Sequence, residues 1–144
     1  MIGHDGGVSD AIDHPPFQPR ENRYWLTTAD GVGIDALLLR GSEPRTTAVV
    51  LANGFTGSYR SPGSRAVAET LLSIGDVMTF DFRGHHGSGG LSTVGNAEIH
   101  DLEAVVSRLR ELGYTSVCVV GFSMGAAVAI RHAAIYGGVD AVVS

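Results

Sequence analysis

From Thr46 to the end of the chain, short apolar runs alternate with longer stretches whose apolar residues recur at helical spacing, a rhythm that few architectures accept. TTAVVLAN holds the continuous run Val49 to Ala52, the pattern of a strand covered on both faces. Ser64 to Ile74 places Val67, Leu71, Leu72 and Ile74 largely on one helical face, with Gly75 at the C′ position. DVMTFDF is the next strand, and the Gly-rich loop RGHHGSGGLSTVG follows it. Asn96 stands as the N-cap of a helix in which Ile99, Leu102, Val105, Val106, Leu109 and Leu112 recur at three- and four-residue spacing, with Gly113 at its end. Ser116 to Val120 reads as a buried strand, Met124 to Tyr136 as a helix and VDAVVS as the opening of another strand. The order β-α-β-α-β-α-β builds a parallel sheet with right-handed crossovers and helices on both faces. Ahead of it, RYWLTT and GIDALLLR flank the turn-forming Ala29-Asp30-Gly31-Val32 and read as an antiparallel hairpin. The expectation is a single α/β domain over residues 23–144, its mostly parallel sheet opened by that hairpin, behind a mobile Gly/Pro/Asp-rich leader over residues 1–22.

Composition narrows the partners. The 144 residues are 44% hydrophobic and 17% charged, which is enough apolar material for a real core. A net charge of −5, with ten Arg scattered rather than clustered, argues against nucleic acid as a partner. No segment approaches the roughly 20 apolar residues of a membrane span, and the first residues carry neither a basic nor an apolar signal region, so a cytoplasmic location is expected. Cys118, in an apolar run, reads as a buried reduced thiol. His4 and His14 in the leader read as solvated, and His100 and His132, within helices, as structural.

Three constellations carry chemistry. Gly121-Phe122-Ser123-Met124-Gly125 lies between an apolar strand and an Ala-rich helix, which is the context a G-x-S-x-G nucleophile elbow requires. There the serine backbone is strained so that Oγ projects, and Gly121 and Gly125 let strand and helix approach. Asn53-Gly54-Phe55-Thr56-Gly57-Ser58 follows the strand that ends at Ala52. Acyl transfer needs backbone N–H donors aimed at a developing oxyanion; the elbow geometry supplies Met124 as one, and Phe55 is the candidate for the other. Asp81-Phe82-Arg83-Gly84-His85-His86-Gly87-Ser88-Gly89-Gly90 reads as support, with Asp81 and Arg83 hydrogen-bonding neighbouring loop backbone. A general-base role for His85 or His86 is disfavoured because their loop follows a different strand. Spacing suggests no third ligand beside these two histidines, so neither metal nor cofactor is expected.

Together these residues resemble the α/β-hydrolase superfamily, and within it the serine aminopeptidase and monoacylglycerol lipase-like branch with its small bacterial esterases. NGFTGS looks like that branch's HGFxGS oxyanion loop, DFRGHHGSGG like its DxRGHGxSGG loop, and GFSMG matches its elbow in register. The resemblance runs from about Arg23 to Ser144 and implies the N-terminal part of an α/β-hydrolase fold. It implies Ser123 as acyl-accepting nucleophile, Phe55 and Met124 as oxyanion donors, and hydrolysis of a small ester, thioester or amide. Asn53 stands where the branch usually has His, and His86 where it usually has Gly. The family's acid and catalytic His follow later strands than this chain contains, so the resemblance implies a half-enzyme, nearly inactive alone. The strand at Val139 to Ser144 should then expose an apolar edge and a bare sheet face. That edge is open to a complementing polypeptide, to self-association, or to use as a non-catalytic binding surface.

Overall fold

The computed structural model describes residue 3 and residues 16–144, so the expectations for His4, His14 and most of the leader lie outside the described residues. β1 (Arg20–Thr27) and β2 (Gly33–Arg40) pair antiparallel from Arg20↔Arg40 to Thr27↔Gly33. β1 therefore begins ahead of Arg23, inside the segment read as leader. The hairpin loop closes through Thr28, whose N–H donates to the Val32 carbonyl at 2.9 Å while its Oγ1 accepts from the Val32 N–H at 2.8 Å.

The alternation follows as β3 (Thr47–Ala52), α1 (Pro62–Leu71), β4 (Asp76–Phe80), α2 (Glu98–Glu111), β5 (Ser116–Gly121), α3 (Met124–Ile135) and β6 (Ala141–Val143). The sheet order is β1-β2-β4-β3-β5-β6. β3 pairs parallel with β4 on one side and β5 on the other, β6 continues parallel beside β5, and β2 meets β4 antiparallel. From β3 the chain steps outward to β4, then crosses back over β3 to β5. That reversal opens a crevice at the carboxyl ends of β3 and β5, where open α/β sheets place their ligands.

Period-two alternation along β3 feeds two cores. Ala48, Val50 and Ala52 face α2 and α3 with Leu102, Val105 and Val128, while Val49 and Leu51 face α1 with Ala68 and Leu72. α1 covers only part of its face. Cys118 and Val120 of β5 point to the uncovered part and are half-buried, so the burial expected of the Cys118 thiol is corrected, while it is a free cysteine. β6 has a neighbour on one side only among the described residues, and Val143 is largely exposed.

Two helix boundaries also differ from expectation. α1 starts earlier, with Ser61 as N-cap accepting from the Ser64 N–H and Pro62 at its first position. It ends at Leu71, so Gly75 is not its C′ residue and Ile74 lies outside the helix, exposed. Asn96 does not cap α2; Ala97 holds that place and makes no side-chain cap bond. The buried Glu98 carboxylate instead gathers the loop ahead of the helix, accepting from the N–H groups of Thr93 at 2.8 Å and Gly95 at 3.0 Å and from the hydroxyls of Ser92 and Thr93. A carboxylate with that many donors at a helix N-terminus satisfies more of the local backbone than an Asn side chain can.

Candidate active site

Ser123 stands between β5 and α3 with φ 52° and ψ −117°, a backbone conformation that a residue with a side chain adopts only when its surroundings force it. Close packing supplies the force. Phe122 N–H donates to the Ala52 carbonyl at 3.1 Å, tying the turn to β3, and the Gly125 and Ala126 N–H groups close the first turn of α3 onto Phe122 and Ser123. A Cβ on Gly121 would lie 2.6 Å from the Gly125 carbonyl oxygen, and one on Gly125 would lie 2.3 Å from that of Ala52. The Ser123 side chain does not cap α3 and is exposed, and among the described residues its Oγ has no hydrogen-bond partner.

The segment after β3 runs beside it. An ideal Cβ on Gly54 would stand 3.3 Å from Ser123 Cβ and 3.9 Å from its Oγ, so this backbone passes directly against the serine. Residues 54–57 form a turn in which the Gly57 N–H donates to the Gly54 carbonyl at 3.0 Å. Asn53 is buried and its Oδ1 accepts from the Ser64 hydroxyl at 2.9 Å, which moors the loop to the first turn of α1. Phe55, Ser123 and Met124 line one open cavity of about 520 Å³ with Val94, Asn96 and Arg131. Among the described residues, neither the Phe55 N–H nor the Met124 N–H has an acceptor. The structure thus brings together Ser123, Phe55, Met124, Asn53, Gly54, Gly121 and Gly125.

Asp81 and Arg83 are buried and do not line the cavity. Asp81 accepts the Tyr59 N–H at 3.1 Å and so supports loop backbone as expected. Arg83 works differently from the expectation: its guanidinium is clamped by the carboxylates of Asp101, at 2.7 and 2.9 Å, and Asp30, at 2.7 and 3.0 Å. It ties α2 to the hairpin turn, and its own backbone N–H also donates to Asp101. His85 is engaged at both ring nitrogens, accepting from the Thr56 N–H at 2.8 Å and bonded to the Arg83 carbonyl at 3.0 Å, so it has no free nitrogen for Ser123. His86 is exposed at φ 39°, left-handed backbone, which is why glycine suits its place. His132 is buried and bonded to Glu103, and His100 to Tyr136, both away from the cavity. Among the described residues no group of three or more His, Cys, Asp or Glu is placed to hold a metal ion. No described helix is long and apolar enough to cross a membrane.

A family model described as an alpha/beta hydrolase family matches residues 49–144. The chain belongs to the α/β-hydrolase family. Among solved structures, the esterase Pf2001 of Pyrococcus furiosus is 34% identical with a TM-score of 0.76, over 88% of this chain and 50% of its own. A lidless α/β serine hydrolase from Xanthomonas campestris is 26% identical with a TM-score of 0.71, over 84% of this chain and 59% of its own. Est1E from Butyrivibrio proteoclasticus, solved with ferulic acid, is 25% identical with a TM-score of 0.71, over 83% and 51%. The chain spans about half the length of the solved esterases it matches. No curated protein matches it.

In this α/β-hydrolase chain several carboxylates are held by hydrogen-bond donors of the neighbouring loops and strands. Burial works against the charge on Asp35, but hydrogen bonds from Arg23, Arg60 and Tyr59 outweigh it and hold its pKa below the ordinary value; donors from the Ser92–Gly95 loop do the same for Glu98. Arg83 holds the more exposed Asp30 low. Asp101 is the exception, raised by burial against the pull of Arg83. A carboxyl whose folded pKa is depressed contributes stability above its unfolded pKa and loses it as pH falls through the folded value; Asp101 contributes in the opposite sense. Asp140, held low by the Val117 N–H and Arg110, is a fourth lowered carboxyl against the one raised, so the thermal midpoint should hold from neutrality to about pH 5 and fall below about pH 4. Melts followed by circular dichroism across pH test this, and a midpoint that rises on acidification would contradict it. His85, Glu98 and Asp101 were not among the site residues expected from sequence, since only the packed loops show what they touch.

Proposed function

We propose that Ser123 is the nucleophile of an esterase-type serine hydrolase of the serine aminopeptidase and monoacylglycerol lipase-like branch, with the Phe55 and Met124 N–H groups as its oxyanion hole. The observation that carries the reading is the strained Ser123 sharing one open cavity with two backbone N–H groups that lack acceptors. Oγ attacks the substrate carbonyl carbon, charge builds on the carbonyl oxygen between the two donors, and the bond to the leaving alcohol, thiol or amine breaks as the acyl-enzyme forms. Water then hydrolyses the acyl-enzyme. Asn53 in place of His leaves the donors unchanged because they are main-chain groups.

The attack needs a base to take the hydroxyl proton. With both nitrogens of His85 engaged, His132 held by Glu103, His100 bonded to Tyr136, and no described histidine, His86 included, lining the Ser123 cavity, the base and its acid partner are assigned to residues outside 16–144. The side of β6 that has no strand neighbour among the described residues favours a second reading of how they arrive: a separate polypeptide adds a strand there and brings both residues with it.

The test is acylation of the chain by p-nitrophenyl acetate, followed by intact-mass and peptide spectrometry. A slow reaction at Ser123 is expected, accelerated by added imidazole acting as an external base, with Ser123→Ala at the solution rate. A folded chain that stays unmodified at Ser123 even with imidazole would overturn the nucleophile. Fast turnover without imidazole would overturn the placement of the base.

A further inference from the structure

We infer that His85 is a positioning residue for the oxyanion loop: neutral, with its proton on Nδ1, it holds the 54–57 turn that presents the Phe55 N–H, and its protonation releases that turn. The inference rests on the proposed oxyanion role of Phe55, while the hold on the turn is read from the structure alone.

The turn is demanding. Thr56 has φ 65°, the left-handed value that the third residue of a type II turn takes and that usually selects glycine. A β-branched residue stays there only if something fixes it. The Thr56 N–H donates to His85 Nε2 at 2.8 Å, which sets the plane of the Phe55–Thr56 peptide. The preceding peptide is set by its carbonyl, which accepts from Gly57. Because N–H and C=O point opposite ways across a trans peptide, that bond leaves the Phe55 N–H directed away from Gly57. The edge of one ring meets the face of the other between His85 and Phe55, with centroids 5.5 Å apart, so the same imidazole also holds the Phe55 side chain.

The histidine is built to stay where it is. It is buried, its backbone N–H donates to the Phe82 carbonyl at 3.0 Å, and its carbonyl accepts from Ser88 at 3.0 Å. The Arg83 carbonyl facing Nδ1 can only accept, and the Thr56 N–H facing Nε2 can only donate, so one tautomer satisfies both. A proton on Nε2 would set donor against donor. Of the charged groups on the surrounding elements, Asp35 of β2 is bonded to Arg60 of the loop after β3 and Arg83 to Asp101 of α2 and Asp30 of the hairpin, while Asp81 accepts from the Tyr59 N–H with one oxygen and its other oxygen lies 3.8 Å from Arg60 Nε without a hydrogen bond. His86, next in the chain, is exposed.

Long-range ¹H–¹⁵N spectra of the labelled chain read the tautomer, and a pH titration follows His85 together with the Phe55 and Thr56 amides. The expected result is a proton on Nδ1, both amides shifting at the midpoint of the His85 ring, and a roughly five- to tenfold loss of Thr56 exchange protection on protonation, the weight of one neutral hydrogen bond. His85→Gln, which can accept from Thr56 without titrating, should keep the protection and lose the pH step. A proton on Nε2, or a Thr56 amide indifferent to the His85 titration, would overturn the inference, and these wild-type readings decide it even if the variant fails to fold. Fluorophosphonate labelling of Ser123 with imidazole, run in parallel, separates the two claims. No labelling at any pH beside an intact His85–Thr56 coupling would sink the proposed nucleophile and leave the hold on the turn standing.

Discussion

Gly125→Ala is expected to lose about 3 kcal/mol or more, a large part of the roughly 5–15 kcal/mol that separates a folded domain from its unfolded chain. The new methyl would sit 2.3 Å from the Ala52 oxygen and 2.6 Å from that of Asn53. Both contacts are main chain at the end of the central strand, and the Ala52 oxygen already accepts from Phe122. No rotamer change relieves the overlap. α3 must move off β3, which opens the packing of the fully buried Val128 and Ala129 and shifts Ser123 with the helix. Gly63→Ala is the control, because nothing lies within 4 Å of its ideal Cβ and alanine is the better helix former. Urea unfolding compares them; a Gly125→Ala midpoint matching that of Gly63→Ala would show that β3 and α3 tolerate separation.

Asp101→Ala should cost about 3–5 kcal/mol, because it strands the buried Arg83 charge. Asp101 is fully buried and accepts three N–H groups of Arg83, one from the backbone and two from the guanidinium. Without it the guanidinium keeps only Asp30, whose side chain is 39% exposed, and the Arg83 backbone N–H loses its acceptor. Burial raises the pKa of Asp101, so the carboxylate itself is held at a desolvation cost. Replacing both partners, as Arg83→Met with Asp101→Leu, should therefore harm the fold far less than the sum of the single changes. Asp30→Ala, at the exposed end of the clamp, should cost under about 1 kcal/mol. Equal losses for Asp101→Ala and Asp30→Ala would refute the assignment.

The order of elements, the hairpin and the tight strand-to-helix turn at Ser123 were all legible in the residues, because each is a local signal. Period-two and helical spacing distinguish strands from helices within a few residues. A G-x-S-x-G between an apolar strand and an Ala-rich helix has few other conformations open to it, and Ser123 at φ 52° is the outcome. Asn53, Gly54 and Phe55 could be placed for the same reason, directly beyond a strand whose end was readable.

What spacing along the chain could not decide was which distant residues meet. The parallel registers Ala52↔Phe80 and Ala52↔Gly121 bring three loop starts to one end of the sheet. Only then do His85 and Thr56, 29 residues apart in the chain, come within hydrogen-bond distance. Asn96 had the composition of a cap, but the buried Glu98 with its several donors displaced it, a competition settled by burial. Cys118 sits in a run apolar enough for the interior, yet α1 covers only part of that sheet face and leaves it half-exposed. Local patterning determined the elements and the strained turn at Ser123, since those are set by backbone conformation and side-chain period. The tertiary structure alone decided what braces that turn, since buried polar groups must find partners wherever the fold brings them.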